Sequence, residues 1–372
     1  MITWRAGVVV SLGATWPGAA EVTVELEAPV GTATAGDSVR ALAFPDLVGS
    51  PEIGDRVLLN VSALARGLGT GGYALVIALP DRTPADPPEG PGHLVKARYT
   101  PLQAMVLGVD DQESPHHEVL RDADDLAGLP VVVADLHSAL PAIVVGARFA
   151  ARRAGRPAPR VAYVMTDGGA LPAWFSRTVA GLRSAGWVEA CITTGQAFGG
   201  DLEAVSVHTG LLAARHVVGA DLVVVAQGPG NLGTGTRWGF SGVAAGEAVN
   251  AAATLGGRPV ASLRVSGADP RERHLGISHH SRTAYGRVAL APADVVVPVF
   301  EEGPLAELGR RVADQADELG ARHRLVPVTA GADLLDALTA SPVRLATMGR
   351  GLADDPASFL AAAAAGVHAA DL

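Results

Sequence analysis

Several segments of this chain gather residue types that can do acid–base, metal or phosphate chemistry. Asp135 and His137 stand two apart just past an apolar run, the spacing that points two side chains at a strand end toward one opening. Asp167 follows a second run in Thr166-Asp167-Gly168-Gly169, and Asp201 and Glu203 come after a third. Carboxylate oxygens and imidazole nitrogens suit Mg²⁺, Mn²⁺ or Zn²⁺. Asp135, His137, Asp201 and Glu203 are therefore a candidate divalent-metal set, and Asp135, His137, Asp167, His274 and His279 are candidate acid–base groups. None of these spacings is a diagnostic metal motif. Ser278 before His279-His280 fits a helix N-cap. Adjacent helical residues point about 100° apart, so only one of the two imidazoles is expected to face a site.

The segment Gly228-Pro229-Gly230-Asn231-Leu232-Gly233-Thr234-Gly235-Thr236 contains G-x-G-x-x-G, in which small residues let backbone N–H groups approach a phosphate. Gly228, Gly230, Gly233, Thr234, Gly235 and Thr236, with Arg271 and Arg273, form a candidate phosphate or cofactor site. As a dinucleotide fingerprint the segment is incomplete. Pro229 removes a donor, and the next helix is expected near Ser241. Lys96 is the only lysine, so no Walker A lysine exists and a Schiff-base mechanism would depend on that one residue. Anion recognition falls to arginines, whose planar fork binds two oxygens at once. Cys191 is the only cysteine, which excludes internal disulfides, iron–sulfur clusters and thiolate zinc sites; it reads as a core residue. Gly239-Phe240-Ser241-Gly242-Val243 lacks the last glycine of a nucleophile elbow.

These residues need a scaffold to bring them together. The chain has 372 residues, 48% of them hydrophobic, with 29 Lys plus Arg against 38 Asp plus Glu, a net charge of −9. That balance argues against duplex nucleic acid and an anionic membrane surface as partners, and for a small anionic molecule met by a few placed arginines. No apolar run reaches the length of a membrane span, so a cytoplasmic location is expected; a homo-oligomer is left open. Residues 1–79 alternate in short apolar and polar steps (Val22, Val24 and Leu26 against Thr23 and Glu25) and read as a small β-barrel or sandwich, with Gly67-Leu68-Gly69-Thr70-Gly71-Gly72 as a hairpin turn. Residues 80–92 carry five prolines and read as a linker, 93–128 as a transitional segment, and 129–372 as an α/β domain. Its expected strands are Pro130–Ala134, Val161–Met165, Val188–Thr193, Asp221–Ala226, Pro259–Val265, Val295–Val299, Arg324–Val328 and Val343–Thr347. These are continuous apolar runs, as a sheet covered on both faces requires. The fold class is α/β, a doubly wound, mostly parallel, Rossmann-like sheet after the β domain. In such a sheet the loops past the strands' carboxyl ends hold the ligand, and most of the residues above fall there.

The runs Leu59-Asn60, Gly67–Tyr73, Arg98-Tyr-Thr-Pro-Leu-Gln103, Leu136-His-Ser138, Met165-Thr-Asp-Gly168, Ala197–Glu203, Gly228-Pro-Gly230, His274 with Gly276–His280, and Met348-Gly-Arg-Gly351 together resemble a bacterial family known as domain of unknown function 3866. The resemblance covers nearly the whole chain and implies no activity; Val61-Ser62 stand where paired threonines are expected. From the residues alone, the leading expectation is an enzyme on a small phosphorylated or nucleotide-like substrate, working by metal-assisted hydrolysis or group transfer. An NADP-dependent oxidoreductase would use Gly228–Gly233 for pyrophosphate and Arg264 for a 2′-phosphate. A non-catalytic ligand-sensing or assembly protein is the third class.

Overall fold

The structure is a computed structural model that describes residues 1–69, 71–300 and 303–372. It divides into two compact units, Met1–Pro91 with Ala97–Met105, and Gly92–Lys96 with Val106–Leu372. In the first, strands β1 (Trp4–Trp16), β2 (Ala19–Leu26), β3 (Ser38–Ala43), β4 (Arg56–Asn60) and β5 (Ala74–Ala78) close into a five-stranded barrel in the order β1-β2-β3-β5-β4. The alternation read from the sequence fills it: Val9, Val22, Val24, Leu26, Val57, Leu59 and Val76 point inward and pack together. Closure leaves no open edge. The glycine-rich segment 67–72 joins β4 and β5, which pair antiparallel; Thr70 lies outside the described residues.

The second unit is built on an all-parallel eight-stranded sheet. Its strands are β6 (Pro130–Val133), β7 (Val161–Thr166), β8 (Ala190–Thr193), β9 (Leu202–Glu203), β10 (Leu222–Gln227), β11 (Arg258–Ser262), β12 (Asp294–Val299) and β13 (Arg324–Thr329), in the order β9-β8-β7-β10-β6-β11-β12-β13. Of the central strands, β10 is buried along its whole length and β6, β7 and β11 along most of theirs, because helices cover both faces. The helices of this unit include α1 (Leu140–Arg153), α2 (Arg177–Ser184), α3 (Val207–Ala213), α4 (Ala244–Thr254), α5 (His279–Thr283), α6 (Ala306–Ala316), α7 (Ala332–Thr339) and α8 (Pro356–Ala370). Helices α1, α7 and α8 pack together on one face; α3 and α4 pack together on the other. At the crossing of α1 and α8 the backbones touch. A Cβ on Gly146 would stand 1.9 Å from the Ala363 carbonyl oxygen, and one on Gly366 1.9 Å from that of Ile143.

One expected strand belongs elsewhere. Val343–Thr347 does not enter the sheet; Ala346–Thr347 pairs antiparallel with Arg350–Gly351 in a small hairpin. Met348 and Gly349 both have positive φ, 49° and 81°, the backbone of a two-residue type I′ turn. The eighth place is taken by the short edge strand Leu202–Glu203, parallel to β8. No helix among the described residues is long and apolar enough to cross a membrane.

Candidate active site

The middle of the sheet has the geometry that opens a crevice. Strand β6 sends its chain into α1 on one face, while its neighbours β10 and β11 send theirs into α4 and into α5 (His279–Thr283), whose continuation packs on α4 at the opposite face. Loops that part in this way leave a gap at the strand ends where ligands bind. Asp135 leaves β6, Gln227 ends β10, and Arg264 lies two residues past β11.

Among the described residues, three buried side-chain atoms have no hydrogen-bond partner: Asp135 Oδ2, Gln227 Oε1 and His279 Nε2. Each costs free energy, about 1–3 kcal/mol for a neutral group; Asp135 and Gln227 line one small gap at the ends of β6 and β10, and His279 is the neighbour of His280, whose Nδ1 is 3.8 Å from Asp135 Oδ2. Gln227 Nε2 donates to the Asp135 backbone carbonyl at 2.9 Å and to Asn231 Oδ1 at 3.0 Å, which ties β10 to β6. Arg264 is 4.0 Å from Asp135 Oδ2 and donates to His280 Nδ1 at 3.1 Å. Burial raises the Asp135 carboxyl above its ordinary value, and the Arg264 charge offsets part of that rise. A cavity of about 30 Å³ opens beside both residues and is also lined by Ser138, Ser262, Ser266 and Arg350. That is room for roughly one or two waters.

The three histidines meet here, contrary to the expectation that only one of His279 and His280 faces a site. Ring centroids lie 4.9 Å apart for His274–His279, 5.0 Å for His274–His280 and 4.4 Å for His279–His280. The 100° rule misled because these residues open α5 at its first turn and the chain before it folds back: Val265–Ser266 pairs antiparallel with Gly276–Ile277, which returns His274 toward the helix start. Ser278 caps α5 by accepting from the His280 N–H and also bonds His274 Nδ1 at 2.8 Å. Phe240 lies flat on His280, 3.9 Å away and 1° from parallel. Burial, then the Arg264 charge, push the His274 imidazole down to about 3; burial lowers His279 and His280 as well. All three rings are neutral at pH 7.

Around them lies a charged frame. Asp269 accepts both arms of Arg271 at 2.9 Å and Arg350 at 3.4 Å, and the Arg271 side-chain bonds hold its carboxyl well below the usual range. Asp355 accepts from Ser266 Oγ, the Gly267 N–H and Arg350 Nε. Arg271 is thus a clamp on Asp269. Arg273 is exposed, and its guanidinium borders Gly235 of the glycine-rich segment.

That segment is a surface loop, with no helix N-terminus behind it. Gly233 bridges Phe240, Thr234 accepts and donates within the loop, and Thr236 Oγ1 accepts from the Gly239 N–H. The turn that leads to α4 begins at Ser241. Its first glycines meet the β7 loop, where the Ala170 N–H donates to the Pro229 carbonyl, so Gly168 and Gly169 join this mouth.

The expected metal set of Asp135, His137, Asp201 and Glu203 does not assemble. His137 is spent on the fold: Nδ1 lies 3.0 Å from the Tyr163 hydroxyl and Nε2 2.7 Å from Ser176 Oγ. Tyr163 donates to the Ala226 and Gln227 carbonyls, so it accepts from His137 Nδ1–H, and Ser176 donates to Nε2. Burial pushes this imidazole down to about 4. Asp201 and Glu203 stand at the sheet edge, four strands from β6 or about 19 Å at the usual spacing. Asp201 pairs with Arg183 and accepts the Cys191 N–H. Glu203 is buried against Lys96, whose ammonium donates to the Ala197 and Ala204 carbonyls at 2.9 and 2.8 Å and lies 3.5 Å from Glu203 Oε2. A lysine so enclosed is no Schiff-base nucleophile. Asp167 is exposed, accepts the Gln196 N–H, and points at the β8 loop, away from Asp135. Cys191 is buried in β8, where burial raises its thiol.

Gln227, Phe240, Arg350 and Asp355 were not among the candidates. Gln227 carries a readable signal, a polar residue ending an apolar strand; Asp355 carries another, an acid directly before the proline that opens α8. No curated protein and no solved structure matches the chain. A family model described as "Protein of unknown function (DUF3866)" matches residues 40–366, and the chain belongs to that family.

Proposed function

We propose that the crevice past β6, β10 and β11 is the active site of an enzyme acting on a small phosphorylated substrate by hydrolysis or group transfer, in the cytoplasm. The observation that carries this reading is Asp135, whose buried Oδ2 has no hydrogen-bond partner, set between Arg264, the histidine cluster through His280, and Gln227, which donates to its backbone carbonyl. An anionic ligand would meet Arg273 and the Gly230–Gly235 loop at the mouth, and its reacting atoms would lie toward Asp135 and the histidines. Asp135, with its carboxyl raised by burial, is suited to proton transfer.

The nicotinamide alternative is less well supported. Arg264 is buried against His280 and Asp135 and is not placed for a 2′-phosphate, and the glycine-rich segment precedes a loop where a dinucleotide fold places a helix.

The test is calorimetric titration with a panel of sugar phosphates, nucleotides and inorganic phosphate, followed by product analysis of whatever binds. Arg273→Lys should weaken an anionic ligand by roughly ten- to a hundredfold, the value of a lost charge-assisted bond, and leave thermal unfolding unchanged. Binding without turnover would favour a sensor, and no binding by any phosphate compound would end the reading.

A further inference from the structure

We propose that His274, His279 and His280 form a site for one divalent transition-metal ion of the zinc type. The assignment rests on the proposed function only for the use such an ion would have; the ligand set stands on geometry. One ring nitrogen from each histidine lies within 4.8 Å of the other two. His279 Nε2 is buried with no partner, an arrangement a lone pair tolerates when something fills the gap it faces. Asp135 Oδ2, also without a partner, is 3.8 Å from His280 Nδ1.

A tetrahedral ion with bonds of about 2.1 Å sets its ligand atoms about 3.4 Å apart. The rings therefore need to close by about an ångström, a change of side-chain torsion and not of backbone. One of them is already held as metal ligands usually are, by a hydrogen bond on its other ring nitrogen, Ser278 Oγ on His274 Nδ1; Phe240, flat on His280, fixes the plane of that ring. An all-imidazole set selects Zn²⁺, Co²⁺, Ni²⁺ or Cu²⁺ over Mg²⁺ and Ca²⁺. Three protein ligands leave a fourth position open, as catalytic sites do and structural ones do not. An entering cation meets two arginines, Arg264 on His280 Nδ1 at 3.1 Å and the exposed Arg273 on His274 Nε2 at 3.4 Å, and both must swing away. Turning the Arg264 guanidinium onto Asp135 Oδ2, 4.0 Å away, frees the His280 nitrogen and gives the orphaned carboxylate oxygen a partner.

The experiment uses the full chain, stripped with a chelator and titrated with Co²⁺ under a visible spectrometer and with Zn²⁺ in a calorimeter. One equivalent of Co²⁺ should bind with the absorption of a four- or five-coordinate site, and Zn²⁺ should displace it. His279→Gln and His274→Ala should weaken binding by about a hundredfold or more, with metal-free unfolding curves close to the parent's; His208→Ala, an exposed histidine on α3, should change nothing. Absence of stoichiometric binding by the parent protein overturns the site, and so does undiminished binding by both variants. Phosphate titration of the metal-free protein separates the two proposals: an ion bound by a protein that recognises no phosphate compound keeps the metal site and removes the proposed function, and the converse result does the reverse.

Discussion

Replacing Lys96 by methionine should be among the most damaging single changes in the second unit, for reasons that can be counted. The ammonium is 1% exposed and serves three acceptors, the Ala197 and Ala204 carbonyls and the Glu203 carboxylate. Methionine fills similar volume and donates to none. Removing one member of a buried ion pair costs about 3–5 kcal/mol because the other charge is left unpaired. Two stranded carbonyls would add to this, at about 1–3 kcal/mol each in isolation. Protonation of Glu203, whose carboxyl burial already raises, limits the charge part. A net loss of about 3–5 kcal/mol is expected. Urea unfolding followed by near-ultraviolet circular dichroism measures it through the midpoint at constant slope. Glu203→Gln in the same chain removes the stranded charge and should restore about 1–2 kcal/mol, a coupling typical of directly paired groups. A cost below about 1 kcal/mol, or a double variant no more stable than the single one, would show that the pair does not hold this part of the fold.

Gly146→Ala or Gly366→Ala should destabilise by about 1–3 kcal/mol or more, as overpacking does, since the added carbon meets a helix carbonyl at 1.9 Å; equal stability in denaturant would refute the close crossing. The His137 imidazole is held near 4 in the fold against an ordinary 6.5, so the folded state binds fewer protons between those values. Stability should then fall as pH drops from about 6.5 toward 4, by up to about 1.4 kcal/mol per unit for this group. His137→Gln should remove one histidine's share of that slope in unfolding curves taken at pH 7, 6 and 5, while His274, His279 and His280, lowered by the same burial, keep theirs. Met348→Asn should stabilise by about 0.5–1 kcal/mol, because Asn-Gly suits a turn in which Met348 now has positive φ; a lower unfolding midpoint would contradict the turn assignment.

The layout of the sheet was legible because its strands are apolar without interruption: Val131–Val133 and Val223–Val225 can only be buried on both sides. Leu202–Glu203 was not legible as a strand, since two residues ending in a carboxylate carry no period. Val343–Thr347 looked like a strand until Met348-Gly349 turned it back on itself, a signal muted by methionine in a place where asparagine is usual. For the site, the strand-end rule drew attention to Asp135 and the histidine segment, which the fold brings within 3.8 Å of each other at His280. It could not tell Asp135 from His137, because what separates them is Tyr163 and Ser176, residues far along the chain that occupy both ring nitrogens. Asp201 and Glu203 failed for the same reason: Arg183 and Lys96 reach them through the fold and leave no trace in local spacing.

The place of β6 in the sheet has a consequence for how the protein is made. Val131 pairs with Val223 on one side and with Pro259 on the other, so the strand that carries Asp135 is synthesised long before either neighbour leaves the ribosome. Through that interval a short valine-rich segment has both backbone edges open, the condition under which chains pair with the wrong partner. Late closure of non-local strands also slows folding. Expression conditions that supply chaperones should therefore raise the yield of native protein more than changes to the barrel do. Truncation before β11 would leave a chain whose crevice has one wall.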